Sequence, residues 1–192
     1  MIAISSCLLG KKCRFDGKDS LNQELVQWLA DEGLEAGVDF FDLCPEVLGG
    51  LSTPRIPCEI VDANGSPATG ADVLAGTAYI ISRDGKDRSS QFIAGAQAAL
   101  KLCQQRGVTS AYLKAKSPSC GYGQIYDGSF SRVLHVGNGV FAELLAQNNI
   151  EIKSIWVATD FPKKMFEQMW SLGTLLSILL IKKYGLMDKK CV

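Results

Sequence analysis

The first ten residues, Met1–Gly10, read MIAISSCLLG. An apolar run of strand length stops at two serines, a cysteine follows, and a glycine closes the stretch. A short apolar run bounded by a turn signal reads as a buried strand. The next periodic segment is LNQELVQWLADEG, residues 21–33. Its Leu21, Leu25, Trp28 and Leu29 fall near one helical face; Asp19 or Ser20 stands where a cap belongs, and Gly33 where a helix stops. GVDFFDLC, residues 37–44, is then a second strand that ends at Cys44. Strand, helix, strand is the unit that gives two parallel neighbours in one sheet.

The alternation continues along the chain. RSSQFIAGAQAALKLCQQRG, residues 88–107, is helical, opened by Asp84 or Asp87 and ended by Gly107. Phe92, Ile93, Ala96, Ala99, Leu100 and Cys103 lie on its apolar face, which makes Cys103 a core residue. VTSAYLKA (108–115) is a strand, GNGVFAELLAQNN (137–149) a third helix and IEIKSIWV (150–157) a last strand. The expected fold is α/β: a single three-layer domain with a mainly parallel sheet over residues 1–157, plus a helical C-terminal extension over 158–192. Residues 45–76, rich in Gly, Pro and Thr, read as a long active-site loop with a small hairpin around 58–68.

Composition narrows the function. The chain has 192 residues, and its 20 Lys and Arg balance 20 Asp and Glu. No basic excess marks a nucleic-acid surface, and nucleic acid is not an expected partner. The start lacks the basic segment and long apolar stretch of a signal peptide, so the expected compartment is the cytoplasm. In the extension, QMWSLGTLLSILLI (168–181) carries 14 residues without a charge. A membrane span needs roughly 20. The run is expected as an amphipathic or buried helix offering an oligomer contact, not as a span.

Seven cysteines are many for a reducing compartment. Disulfides are disfavoured there, which raises metal binding and catalysis as explanations, although simple burial accounts for most single cysteines. Ligands of open parallel sheets sit beyond the carboxyl ends of the strands. Cys7 follows the first strand, Cys44 the second, and Cys120 comes shortly after SAYLKA. Parallel strands bring those ends to one edge, so the three cysteines are expected to converge. No pair is spaced Cys-x-x-Cys, which weakens zinc-finger, ferredoxin and thioredoxin readings. Three thiolates on a four-position centre leave one position for a substrate. Thiolates suit iron–sulfur clusters and zinc alike.

Glu46, two residues past Cys44, is either a general base beside the metal or a helix-start glutamate. Ser117 and Ser119 flank Pro118 before Cys120; a serine there bonds a substrate, a cluster sulfur or its own turn. Arg14, Asp16 and Arg55 are candidates for substrate contact, with turn and salt-bridge roles favoured for each. The lone His135 is given no role, and no Gly-x-Ser-x-Gly elbow occurs.

Four stretches, ISSCLLGKKCRFDG, CPEVLGGLSTPRIPCEI, GKDRSSQFIAGA and LKAKSPSCGYGQIYDGSF, resemble in that order the motifs of the bacterial 2-thiouracil desulfidase family, over roughly residues 1–155. The resemblance implies an α/β domain with a 4Fe–4S cluster on three cysteines and one open iron. Carried onto this chain, the ligands are Cys7, Cys44 and Cys120, the acidic catalytic residue is Glu46 and the active-site serine is Ser117. Cys13 is read as a non-ligand. Cys58 replaces a usual alanine, which implies a structural role. The implied reaction removes sulfur from 2- or 4-thiouracil to give uracil and hydrosulfide. In it the substrate sulfur binds the open iron, and water attacks the ring carbon with Glu46 as base and no net electron transfer. The alternatives are desulfidation of thiolated uridine in transfer RNA, a non-enzymatic iron–sulfur protein, or a zinc-binding protein.

Overall fold

The structure, a computed structural model, describes residues 1–155. The expected extension 158–192, with its uncharged run and Cys191, lies outside the described residues. Chain order begins with β1 (Ile2–Ser5), a single 3-10 turn (Ser6–Leu9), α1 (Gln23–Asp31), β2 (Phe40–Leu43) and α2 (Pro45–Leu48). Next come β3 (Cys58–Asp62), α3 (Gly70–Leu74), β4 (Ala78–Ser82), α4 (Ser89–Gln105) and β5 (Ser110–Lys114). The last are β6 (Gln124–Tyr126), β7 (Leu134–Val136), α5 (Val140–Gln147) and β8 (Glu151–Ile155).

The central sheet has the order β2-β1-β5-β8. β1 runs parallel to both neighbours, with Ser5 opposite Leu43 and Ile2 opposite Ser110. Side chains alternate between its faces, as the pleat requires. Ala3, Ala111 and Leu113 join the core with Phe92, Ala96, Ala99 and Cys103 of α4 and Phe141, Ala142 and Leu145 of α5. On the opposite face Tyr112 stacks on Trp28 of α1, ring centroids 5.3 Å apart, while Leu25 and Leu29 are buried. Helices on both faces of a mainly parallel sheet make the three layers, as the alternation predicts.

Three local expectations need correction. α1 is capped by Asn22, whose Oδ1 accepts from Leu25 N at 2.7 Å, not by Asp19 or Ser20. The chain before the helix is fastened to the first turn instead: Ser20 N donates to Cys7 O and Asn22 N to Leu8 O. Leu21 therefore precedes the helix and stands exposed. The stretch read as one long loop holds three elements, α2, β3 and α3. β3 pairs antiparallel with β4, Glu59 opposite Ile81, and α3 sits between the two arms. Of the small hairpin around 58–68, the bridge between Val61 and Pro67 remains. The overlooked signal was Thr69-x-x-Asp72, a capping box in which Asp72 Oδ2 accepts from both Thr69 N (2.8 Å) and Thr69 Oγ1 (2.6 Å). The β6–β7 hairpin was not anticipated at all. Among the described residues no helix is long and apolar enough to cross a membrane.

Candidate active site

β1 and β2 end side by side, so the residues that follow them, Ser6 and Cys7 on one strand and Cys44 on the other, share an edge. Cys7 lies in the 3-10 turn and is buried. Gly10 ends that turn at φ +87°, where a side chain would be strained. The chain reverses there: Lys11 N donates to Ser6 O at 3.2 Å. The reversal carries Cys13 back over the strand ends. Its thiol is in hydrogen-bond contact with both Cys44 and Cys7. The Cys44 contact pulls the Cys13 thiol down, but the Cys7 contact and burial outweigh it and push it up to about 11. Cys44, bonded to Cys13 and largely buried, is raised far beyond the ordinary thiol range. At the same edge Asp42 accepts from Ser6 Oγ (2.6 Å) and pairs with Lys11 Nζ (2.8 Å). Burial alone would raise that carboxyl; Lys11 and Ser6 hold it below the usual range.

Cys120 arrives from β5 through a tight turn. Ser117 Oγ accepts from Ser119 N (3.0 Å) and Cys120 N (3.2 Å), and Gly121 N donates to Ser117 O (2.8 Å). The turn is bolted to the start of α5. Pro118 O accepts from Val140 N and Ser119 O from Phe141 N, both at 2.9 Å, which satisfies two donors a helix start leaves open. Gly139 must lack a side chain, since a Cβ would stand 2.6 Å from Ser119 O. Burial and the neighbouring charge of Cys44 push the Cys120 thiol up, while the Ser5 hydroxyl, in contact with its sulfur, draws it down. Cys7, Cys44 and Cys120 thus converge on one edge, with Cys13 among them.

Glu46 stands in the first turn of α2, which Cys44 caps and Pro45 opens, a position suited to proline. Its Oε2 is paired with Arg55 Nε at 2.7 Å, and the two side chains are only 15% and 7% exposed. The same guanidinium donates to Cys13 O (3.0 Å), Ser52 O (3.1 Å) and Thr53 Oγ1 (3.2 Å). Arg55 therefore ties the Cys13 loop to the helix that follows Cys44. The other carboxylate oxygen, Oε1, faces Ser117 Oγ at 3.4 Å. A serine hydroxyl has one proton and two lone pairs. Ser117 has both lone pairs on backbone N–H groups and its proton toward Glu46.

The remaining candidates fall outside this edge or at its margin. Arg14 pairs with Asp16 at 3.1 Å. Cys58 has its thiol on Ile56 O and is pushed up to about 11 by burial and by the Glu46 charge, which puts it on the Glu46 side of the site. Cys103 is fully buried in the core, as its helical position predicts. His135 sits on β7 with Nε2 buried and unpartnered. Sequence reasoning favoured a salt bridge for Arg55 without a partner for it. The thiol contacts of Cys13 had no signal beyond its closeness to Cys7. All six cysteines among the described residues are free thiols. Among the described residues no three His, Cys, Asp or Glu side chains close round a single point as they would for one bound ion.

Together these features define a class: a three-layer α/β protein whose sheet edge gathers thiols beside a buried carboxylate and a serine, the place where open parallel sheets bind their ligands. Residues 2–155 match the family described as 2-thiouracil desulfurase, and the chain belongs to that family. It is 40% identical over 154 residues to the Bacillus subtilis (strain 168) protein whose description reads "Uncharacterized protein YbbK", covering 80% of this chain and 95% of that one. Among solved structures it resembles the [4Fe-4S]-dependent thiouracil desulfidase TudS with TM-score 0.64 and 32% identity, over 92% of this chain and 97% of the other.

Proposed function

We propose that this chain removes sulfur from a thiolated uracil, 2- or 4-thiouracil, giving uracil and hydrosulfide by net hydrolysis. The family and the resemblance to TudS support the substrate class. The observation that carries the reaction type is Glu46: Arg55 fixes one oxygen, and the other is left facing Ser117 beside the cysteine edge. Cys7, Cys44 and Cys120 would hold a 4Fe–4S cluster. Two features of the site fit such a group: the soft thiol donors, and a fully buried Ser119 hydroxyl that has no partner of its own beside Cys120. When bound through three cysteines, the cluster supplies an iron with an open position, a Lewis acid for the thiocarbonyl sulfur.

The chain's own residues then have defined tasks. Glu46 Oε1 accepts a proton from water as the water oxygen attacks the ring carbon. Ser117, held by its two backbone bonds, donates to Glu46 and keeps Oε1 in place. The proton on Glu46 passes to the departing sulfur, so water's oxygen stays on the ring and the sulfur leaves as hydrosulfide. No electron acceptor is required. The catalytic unit is residues 1–157.

The test is iron and acid-labile sulfide per chain in anaerobically prepared protein, with sulfide release assayed on free thiouracil and on thiolated transfer RNA in parallel. Iron with sulfide release from the free base supports the reading; release confined to transfer RNA overturns the substrate class, and zinc without sulfide overturns the cofactor. Glu46→Gln is expected to keep the iron and to lose about 10²–10⁴-fold in turnover, the range of a general base. A fully active Glu46→Gln removes it as the base.

A further inference from the structure

Ser119 is fully buried, and its Oγ has no hydrogen-bond partner among the described residues. A buried hydroxyl without a partner costs free energy, so such a group in a folded protein calls for an acceptor. The backbone of Ser119 is not free to turn and find one. Its N–H is held by Ser117 Oγ, and its carbonyl receives Phe141 N and Ala142 N from the start of α5. The sulfur next in sequence, that of Cys120, is equally buried. A second hydroxyl converges on the same sulfur from another element. Ser5, the last residue of β1 and 2% exposed, accepts Lys114 N at 3.1 Å, which leaves its proton for Cys120.

Two buried hydroxyls around one protonated thiol are poorly used, because a thiol is a weak acceptor. A metal-bound cysteine loses its proton outright, and a thiolate accepts strongly. We infer that Ser119 and Ser5 are a donor pair for the metal-bound Cys120 thiolate, and that they set the reduction potential and lability of the centre it helps to hold. Hydrogen bonds to the sulfurs are among the determinants of cluster potential. Donors stabilise the more negative, reduced state and so raise the potential. They also withdraw electron density from the sulfur, which makes the attached iron a stronger acid toward a substrate sulfur. Both serines are positioning residues; neither is assigned contact with the substrate.

This inference rests on Cys120 being a ligand, as proposed above, and the experiment separates the two. Iron and sulfide per chain are measured first in anaerobic wild-type protein, Ser119→Ala and Ser5→Ala, and the midpoint potential of each is then followed spectroscopically. The expected result is equal loading with a midpoint displaced to more negative values in each variant, further in the double variant, and faster bleaching in air. Equal loading with unchanged midpoints in both single variants overturns the donor pair and leaves the ligand assignment standing. Wild-type protein that takes up no iron overturns the ligand assignment itself. Ser5→Ala gives an independent reading on a different element should Ser119→Ala disturb the turn.

Discussion

Arg55 bonds one oxygen of Glu46, the carbonyl of Cys13 and the loop at Ser52 and Thr53 with a single guanidinium. Its planar array of donors is what makes that possible, and a lysine ammonium cannot copy it. Removing one partner of a buried ion pair leaves the other charge uncompensated, at a cost of about 3–5 kcal/mol. Arg55→Gln is therefore expected to lower stability by roughly 3 kcal/mol in urea unfolding. Arg55→Gln/Glu46→Gln should recover part of that loss, because no lone buried charge remains. Equal losses in the single and double variants would show that packing, and not the ion pair, sets the cost. At this scale the sequence singled out Glu46 and Ser117 by their neighbours Cys44 and Cys120. It offered no means to pair Arg55 with Glu46, since arginines and glutamates are numerous and only the folded loop selects one of each.

The elements meet at one unusually close approach. Gly95 in the middle of α4 lies against the backbone of α2, beside Pro45 O and Gly49. Helix propensity alone makes glycine about 1 kcal/mol worse than alanine in a helix interior. A Cβ at position 95 would collide with backbone, which cannot swing away as a flexible side chain does. Overpacking of this kind costs about 1–3 kcal/mol, so the clash wins over propensity. Gly95→Ala is expected to lower the urea midpoint and, by displacing α2, to move Glu46 and reduce turnover. A more stable, fully active Gly95→Ala would mean that α2 does not depend on this contact. The glycine was visible in the apolar pattern of 88–107, but a helical sequence does not reveal what its glycines face. For the same reason α2 passed for loop: four residues carry too little periodicity to be read, and Cys44–Pro45 fixes its start only once β2 is known to end there.

At the scale of the whole molecule, the carboxylates set the response to pH. Asp16, Asp42, Asp72, Asp84 and Asp127 all have folded values below the ordinary aspartate range. Their stabilisation is present above the unfolded value, about 3.9, and is lost as pH falls through the lowered ones. Glu59 works in the opposite sense. It is 8% exposed and receives Phe130 N at 2.9 Å, yet burial outweighs its backbone hydrogen bonds and raises it. Its folded form holds a proton more tightly than the unfolded chain, so stability declines as pH climbs from the unfolded value, about 4.3, through the raised one. Glu59→Gln is expected to compare more favourably with wild type at about pH 7 than at about pH 4. A pH-independent difference in chemical denaturation would show that burial does not govern Glu59.

The chain's local order determined the layering and the edge where its chemistry gathers. Apolar periodicity is written in neighbouring residues, and parallel strands oblige their carboxyl ends to share a side, which selected Cys7, Cys44 and Cys120. Folding alone decided that Cys13 returns to touch Cys7 and Cys44, that β3 passes over α3 to pair with β4, and that Glu46 meets Ser117 across 71 positions of sequence. Contacts of that span depend on how loops close and which donors remain unsatisfied once they have, and a string of residues does not carry that geometry.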